Sequence, residues 1–215
     1  MKEKRFLEEW RKGKVRTEKP TFAERAQSRE HKVAVARGAK QAVFKVLSKG
    51  SGSRSLQDMS NYISSDSTKE VITEAGTISD KDSLIKLRAD WMRDFKHSGK
   101  RSRSIDFVHV ALSVPAGEDR EATERAAVSM MHDYFPNRRW MAARHNDTAN
   151  PHVHVIIQNR DTDNKPLPLR KADLLDYREQ WVSSCRAQGM QVEAILRSER
   201  GQTIKSKNMA MVRLR

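Results

Sequence analysis

The 215-residue chain has little of what secreted and membrane proteins need. It contains one cysteine, Cys185, so neither an intramolecular disulfide nor a cysteine-based zinc site can form. The first ten residues, MKEKRFLEEW, lack the apolar stretch of a signal peptide, and no apolar run approaches the roughly 18 residues of a membrane span. We therefore expect a protein of a reducing cytoplasm that is not inserted in a membrane.

Aromatic and hydrophobic residues are also few, at 6% and 37% of the chain. These fractions lie below the average for a globular domain but well above those of a disordered tail. The composition therefore predicts one domain, with a core of roughly 140 to 160 residues and loosely packed ends.

Basic residues are in excess, with 42 Lys and Arg against 28 Asp and Glu, which gives a net charge of +14. The excess lies at the ends: residues 1–54 hold 16 basic and 6 acidic side chains, and residues 197–215 hold 6 and 1. Basic flanks on a nearly neutral body are typical of proteins that bind a polyanion such as DNA. A solvated helix and a solvated tail are the alternative interpretation.

The apolar pattern predicts a mixture of helices and strands. Helices are expected over residues 20–47, 55–64, 81–97, 119–134 and 171–187, with a flexible basic turn over residues 48–54. Strands are expected within residues 70–79 and over residues 105–114, 140–145, 153–158 and 192–196, the third and fourth forming a hairpin. Short links between strands favour antiparallel pairing, so the sequence predicts an α+β fold.

Histidines crowd into the segment HNDTANPHVH, which contains His145, His152 and His154. Side chains two apart on a strand share a face, so His152 and His154 are expected side by side, and the hairpin would return His145 beside them. Three neutral imidazoles can hold a divalent cation and leave positions open for substrate. Ordinary half-buried histidines are the alternative.

Asp147 lies between the first and second of these histidines. A cation-binding imidazole usually donates its other N–H to a carboxylate, so Asp147 is a candidate partner for one of them. It can equally be a turn residue that bonds its own backbone. The two roles are compatible.

In a basic protein, the anion for such a cation to polarise is a phosphodiester. The attacking group is either water or a side-chain hydroxyl, and a covalent intermediate would conserve the energy for rejoining the strand. Of the three tyrosines, Tyr134 and Tyr177 have the positions of core or surface residues. Tyr62 follows a basic Gly/Ser segment and is the candidate nucleophile.

Three segments together resemble the relaxases, or mobilisation nucleases, of conjugative and mobilisable plasmids, in the P-type group that includes the T-DNA border endonuclease. HNDTANPHVH matches that group's metal motif, H-x-D-x4-H-x-H, at every specified position. HVALSVPAGED, with Ser113 before a Pro/Gly turn, is similar to a second motif, and SLQDMSNYIS, with Tyr62, is similar to the first. The resemblance extends to SERG at residues 198–201 and so covers about residues 43–201.

This resemblance implies an HUH-type endonuclease with a central antiparallel sheet of about five strands and flanking helices. His145, His152 and His154 would bind Mg²⁺ or Mn²⁺ on the exposed face of the sheet. Tyr62 would attack the scissile phosphate at a plasmid transfer origin, and Asp147 would orient a ligand imidazole and assist deprotonation of Tyr62. Ser113 would hold the DNA on the 3′ side of the cut.

The resemblance also implies partners: single-stranded and duplex DNA at the transfer origin, accessory relaxosome proteins, and the coupling protein of a type IV secretion system. The DNA adduct would be exported to the recipient cell. A basic surface suits this substrate, and the candidate DNA contacts are Arg54, Arg101, Arg103, Arg138, Arg139 and Arg144. The turn at Arg138 and Arg139 can equally be solvated, with Trp140 in the core.

The expected domain spans residues 43–201, between a basic helical extension (1–42) and a basic tail (202–215). Relaxases usually continue into further domains, so either a short relaxase or an excised domain fits. A replication initiator or transposase of the same class is disfavoured because Tyr62 precedes the histidines. A non-catalytic DNA-binding accessory protein and a water-using metal phosphoesterase stay open.

Overall fold

The computed structural model of the chain describes residues 40–65, 70–97 and 105–194. These residues form one open antiparallel sheet of six strands and four helices, which confirms the predicted α+β class. The strands are Val43–Gly50 (β1), Val71–Thr73 (β2), Gly76–Ile78 (β3), Phe107–Ser113 (β4), Trp140–His145 (β5) and His152–Gln158 (β6). The helices are Gly52–Ser65 (α1), Lys81–His97 (α2), Arg120–Tyr134 (α3) and Lys171–Ala187 (α4).

The strand order is β1-β4-β6-β5-β2-β3, and every neighbouring pair is antiparallel. Strands β5 and β6 form the predicted hairpin, with His145 opposite His152 at its closed end. Strand β4 lies on the other side of β6, with Ser113 opposite His152. The ends of three adjacent strands therefore meet at one place in the sheet.

One face of the sheet, here called the core face, packs against α3 and α4. Its strand residues alternate with those of the opposite face, as the pleat requires. The core face comprises Val108, Val110 and Leu112 of β4 and Val153, Val155 and Ile157 of β6, all at most 1% exposed. Ala126, Met130, Trp181 and Cys185 of the two helices complete this larger core.

The opposite face, here called the histidine face, carries His109 and Ser113 of β4 and His152 and His154 of β6. Helices α1 and α2 cover part of it, since Leu56 and Ile63 of α1 and Trp91 of α2 are fully buried beside Phe107 and Ile156. Consequently the expectation of an exposed sheet face at the metal motif is wrong. His145 and His154 are only 1% and 5% exposed.

Three sequence predictions about the flanks are wrong or only partly right. Residues 43–47 are strand and not helix, because β1 pairs with β4 and buries Phe44 in the core while Lys45 is exposed. The predicted basic turn is the end of β1 and the first turn of α1. The predicted last strand is reduced to a single bridge between Gln41 and Glu193.

Residues 1–39 and 195–215 lie outside the described residues, so the helical extension and the basic tail stay predictions. Within the described ranges, no helix combines the length and the apolar character needed to cross a membrane.

Candidate active site

The three histidines of the metal motif converge at the closed end of the β5–β6 hairpin. Their ring centroids lie 4.4 Å (His145–His154), 5.1 Å (His152–His154) and 5.6 Å (His145–His152) apart. One ring nitrogen of each lies within 4.8 Å of those of the other two. The hairpin thus brings together the ligand set that the spacing predicts.

A fourth imidazole, His109 of β4, adjoins this group and was not predicted as a site residue. Its Nε2 lies 2.8 Å from Nδ1 of His154, and the ring is 3% exposed. The available signal was the even spacing between His109 and Ser113, which places both side chains on one face of a strand. That spacing indicates a site residue only if β4 is known to lie beside β6.

One ring nitrogen in each of two candidate ligands is held by a backbone carbonyl. His145 donates from Nε2 to the carbonyl of Ile63 at 2.9 Å, and His152 donates from Nδ1 to the carbonyl of Asn150 at 3.0 Å. A carbonyl can only accept, so these contacts fix which nitrogen of each neutral ring carries the hydrogen. The lone pairs are then on Nδ1 of His145 and Nε2 of His152.

Burial keeps the deeper imidazoles neutral. It lowers the pKa of His154 to about 3, with further lowering by the neighbouring His145 and His109. It also lowers the pKa of His109 to about 4, again with a smaller effect of His145. Neutral imidazole is the form that binds metal ions, so the cluster fits a divalent cation by its chemistry and its arrangement.

Tyr62 lies directly above the cluster, in the last turn of α1. Its ring centroid is 5.3 Å from His154, 5.5 Å from His145 and 6.1 Å from His109. The side chain is 49% exposed, although the three imidazoles beneath it are buried. Tyr62 is therefore accessible to a large substrate.

The other two tyrosines lie on the far side of the sheet. Tyr134 and Tyr177 contact each other at 5.7 Å, and the Tyr177 hydroxyl donates to the carbonyl of Pro168. Both rings contact Phe135; Tyr177 belongs to the larger core, and Tyr134 is at the surface. Their positions agree with the prediction that they are packing residues.

The end of α1 is fixed by side chains that satisfy its last carbonyls. The hydroxyls of Ser64 and Ser65 donate to the carbonyls of Asn61 and Tyr62, at 3.1 and 2.8 Å. His145, which lies on the sheet, donates a hydrogen bond to the next carbonyl, that of Ile63. Carbonyls in the last turn of a helix lack partners within it, and these bonds supply partners in the turn that carries Tyr62.

Asp147 lies in the loop between β5 and β6 and contacts a ligand imidazole. Its Oδ1 is 3.3 Å from Nε2 of His152, the nitrogen on which the lone pair lies. The N–H of that ring is donated to the Asn150 carbonyl. The carbonyl is therefore the acceptor of this N–H, the role for which the sequence made the Asp147 carboxylate a candidate. Asp147 is thus on the side of His152 where a cation would bind, and its side chain is 44% exposed.

Ser113 lies at the same edge of the histidine face. It is the last residue of β4, directly opposite His152 in the register, and it is partly exposed. Its backbone carbonyl accepts from the indole of Trp181, which anchors the strand end to α4. The Ser113 side chain is therefore within the surface that surrounds the cluster.

Arg138 and Arg139 lie at the opposite end of β5, roughly 20 Å from His145 at about 3.3 Å per residue. Arg138 is mostly buried and bonds the carbonyls of Asn159 and Lys165 as well as Asp161. Arg139 pairs with Glu74 and Asp94, and Trp140 is in the core. Both arginines bind acidic side chains of the protein itself.

The remaining candidate DNA contacts are distributed differently. Arg144 is on the core face, opposite Val153, and its guanidinium pairs with Glu124 at 3.2 Å. Arg54 is exposed in the first turn of α1. Arg101 and Arg103 lie outside the described residues. Of the described arginines in this set, Arg54 alone is on the helix that carries Tyr62. The other three lie on β5 or directly before it, as the sequence predicts, and each pairs with an acidic side chain.

The family model for the MobA/VirD2-like relaxase nuclease domain matches residues 62–190, more than half of the chain. The match begins at Tyr62 and includes the β4 motif and the whole hairpin. No curated protein matches the sequence.

Proposed function

The chain belongs to the MobA/VirD2-like relaxases, a family of nicking DNA endonucleases, and on that basis we propose that it cuts one strand of a plasmid transfer origin through Tyr62. Cleavage would leave a 5′-phosphotyrosine adduct and a free 3′ hydroxyl. The adduct would be the species transferred between cells, and the strand would later be rejoined.

One observation carries the proposal: Tyr62 lies over a cluster of histidines that come from three strands. Its ring is within about 6 Å of the rings of His109, His145 and His154, measured between centroids. A nucleophile beside a cation site and open to solvent on one side suits attack on a polymeric phosphodiester. The other two tyrosines of the chain have no such surroundings.

The bond changes are those of a transesterification. Tyr62 Oη forms a bond to the scissile phosphorus while the bond from phosphorus to the 3′ oxygen breaks. The phenolic proton passes to Asp147, and the departing 3′ oxygen takes a proton from solvent. Rejoining is the reverse: the 3′ oxygen attacks the phosphotyrosine, and the phenol leaves as a hydroxyl. No phosphodiester energy is lost to hydrolysis.

His145, His152 and His154 would hold the divalent cation, Mg²⁺ or Mn²⁺. When bound, the cation would supply Lewis-acid polarisation of a non-bridging phosphate oxygen. The residues themselves keep the site ready: burial holds His154 neutral, and the carbonyls of Ile63 and Asn150 fix the rings of the other two ligands. Such fixed outer partners raise metal affinity.

The DNA strand would lie along the edge formed by Ser113, Asp147 and Tyr62. Ser113 would contact the strand on the 3′ side of the cut, and Arg54 would pair with a phosphate near the beginning of α1. Arg101 and Arg103 are kept as candidate contacts. Accessory relaxosome proteins, duplex DNA and the coupling protein of a type IV secretion system would complete the assembly.

The test is a covalent-adduct assay. The protein is incubated with Mg²⁺ or Mn²⁺ and labelled single-stranded oligonucleotides from candidate transfer origins, and the products are separated on denaturing gels. Wild type is compared with Tyr62→Phe and with the control Tyr134→Phe, which removes another partly exposed tyrosine hydroxyl. We expect a metal-dependent DNA-linked band from wild type and from the control, and none from Tyr62→Phe.

Two other results would replace the proposal. Cleavage without a linked band would identify a water-using metal phosphoesterase. Tight DNA binding without cleavage of any origin, unaffected by Tyr62→Phe, would identify a non-catalytic accessory protein of the transfer complex.

A further inference from the structure

His109 lies behind His154, one strand further from the hairpin than the three candidate ligands. It is nearly inaccessible, and its Nε2 is 2.8 Å from Nδ1 of His154. The two ring planes are tilted by 34°, with centroids 4.9 Å apart. His109 therefore touches a ligand from the side away from the other ligands and is too deep to contact DNA itself.

We propose that His109 is a positioning residue that fixes the tautomer of His154. The inference rests on the cation site of the proposed function. A ligand nitrogen must present a lone pair, and Nδ1 of His154 is already engaged by His109, so Nε2 is the nitrogen left for the cation. Nδ1 of His154 then carries the hydrogen and donates it to Nε2 of His109.

The opposite direction of this hydrogen bond would disable the site. If His109 donated from Nε2, Nδ1 of His154 would be the acceptor, and the hydrogen of neutral His154 would be on Nε2. An N–H would then point to where the cation binds. The choice between the two directions depends on whether His109 keeps its own hydrogen on Nδ1.

Ser48 supplies a reason for that choice. Its hydroxyl is buried and has no hydrogen-bond partner in the described part of the chain. Ser48 is directly opposite His109 in the β1–β4 register, so both side chains are on the histidine face. A hydroxyl oxygen in that position can accept from Nδ1 of His109, directly or through one water. His154 then donates from Nδ1 to Nε2 of His109, and His109 donates from Nδ1 to the hydroxyl of Ser48.

The first experiment compares two substitutions of His109. His109→Gln keeps a carbonyl oxygen that can accept from His154, whereas His109→Leu fills space without an acceptor. Calorimetric titration with Mn²⁺ alone should give a dissociation constant about 10- to 100-fold weaker for His109→Leu. His109→Gln should be within about threefold of wild type. His132→Leu, which removes an exposed histidine of α3, is the matched control and should leave the constant unchanged.

The second experiment reads the tautomer directly in metal-free protein. Protein labelled with ¹⁵N in histidine is measured by long-range ¹H–¹⁵N correlation, and the His154 signals are assigned by their loss in His154→Ala. We expect the pattern of an Nδ1–H ring for His154 in wild type and in His109→Gln. Because this readout needs neither metal nor DNA, it also decides the matter if His109→Leu fails to fold.

The outcomes separate this inference from the proposed function. Mn²⁺ binding by wild type with an unchanged constant in His109→Leu would overturn the role of His109 and leave the cation site intact. An Nε2–H pattern for His154 would overturn it too. Failure of wild type to bind Mn²⁺ at millimolar concentration would overturn the cation site itself, and this inference with it.

Discussion

The two faces of the central sheet are formed by the same strands but carry side chains of different kinds. On the core face, Val108, Val110 and Leu112 pack against α3 and α4, and their side chains have no hydrogen-bonding groups to satisfy. On the histidine face, the imidazoles of the cluster need polar partners. His145 bonds a helix carbonyl, His152 bonds a loop carbonyl, and His154 contacts a second imidazole, that of His109.

The difference shows how stability and chemistry are separated within one strand. A core side chain tolerates any neighbour of suitable volume, and its loss leaves a cavity. An imidazole of the histidine face depends on a particular atom of another element, and its loss leaves that atom unpaired. Substitutions one residue apart should therefore have effects of different kinds.

Ile157→Ala on the core face should have the largest effect on stability. Ile157 is fully buried between the sheet and α3 and α4, so its truncation should lower the free energy of unfolding by about 2–5 kcal/mol. Urea denaturation measures the loss. The Mn²⁺ dissociation constant of the folded protein should stay within about twofold, and a larger change would mean that the two faces are not independent.

His152→Ala on the histidine face should do the reverse. Removal of a ligand should weaken Mn²⁺ binding by on the order of 100-fold or more, equivalent to about 2.7 kcal/mol, because even outer partners are worth 10- to 100-fold. His152 is the most exposed of the three ligands, so unfolding should change little. Parallel calorimetry and denaturation would contradict the contrast if stability fell as far as it does in Ile157→Ala.

Asp147→Asn should give a smaller effect at the same site. The amide keeps the shape of the side chain but removes the charge that faces Nε2 of His152. We expect Mn²⁺ affinity to fall by about tenfold, with unchanged unfolding. Titration at two salt concentrations is the measurement. Equal Mn²⁺ affinity of variant and wild type at low salt would show that Asp147 is a loop residue with no part in cation binding.

The smallest effect expected is on the acid dependence of stability. The pKa of His109 is about 4 in the folded chain against an ordinary value of 6.5, so below pH 6.5 the unfolded chain binds more protons. Stability is therefore complete above pH 6.5 and falls as the pH is lowered towards 4. Between pH 6.5 and 5.5, metal-free wild type should lose about 1 kcal/mol more than His109→Gln.

Denaturation with EDTA present, at both pH values, provides the comparison. A control substitution at the exposed His132 should not change the slope. Equal slopes for wild type and His109→Gln would show that His109 is protonated as readily in the folded chain as in the unfolded one.

The hairpin, its histidine cluster and the amphipathic helices could be predicted because their signals are local. His145, His152 and His154 lie within one turn-linked pair of strands, and α2 repeats Leu84, Trp91 and Phe95 at helical spacing. The motif order also predicted Tyr62 as the residue to examine. In these cases the spacing along the chain is nearly the spacing in the fold.

What the sequence did not reveal depends on contacts between distant segments. Residues 43–47 were predicted as helix from their local apolar pattern. They form a strand because pairing with β4 outweighs that local preference. His109 joins the site only because β4 lies beside β6. The sequence also did not reveal the ion pairs of Arg138 and Arg139, because their acidic partners lie 23 to 65 residues away along the chain.

The bond from His145 to the Ile63 carbonyl connects a candidate ligand with the helix of the candidate nucleophile. Thermodynamic linkage makes such a connection work in both directions. If cation binding favours the ring orientation that this bond requires, it also stabilises the last turn of α1 in the position described here. DNA binding that displaces Tyr62 then changes the cation affinity by the same factor. The two halves of the site, 82 residues apart along the chain, would then respond as one thermodynamic unit.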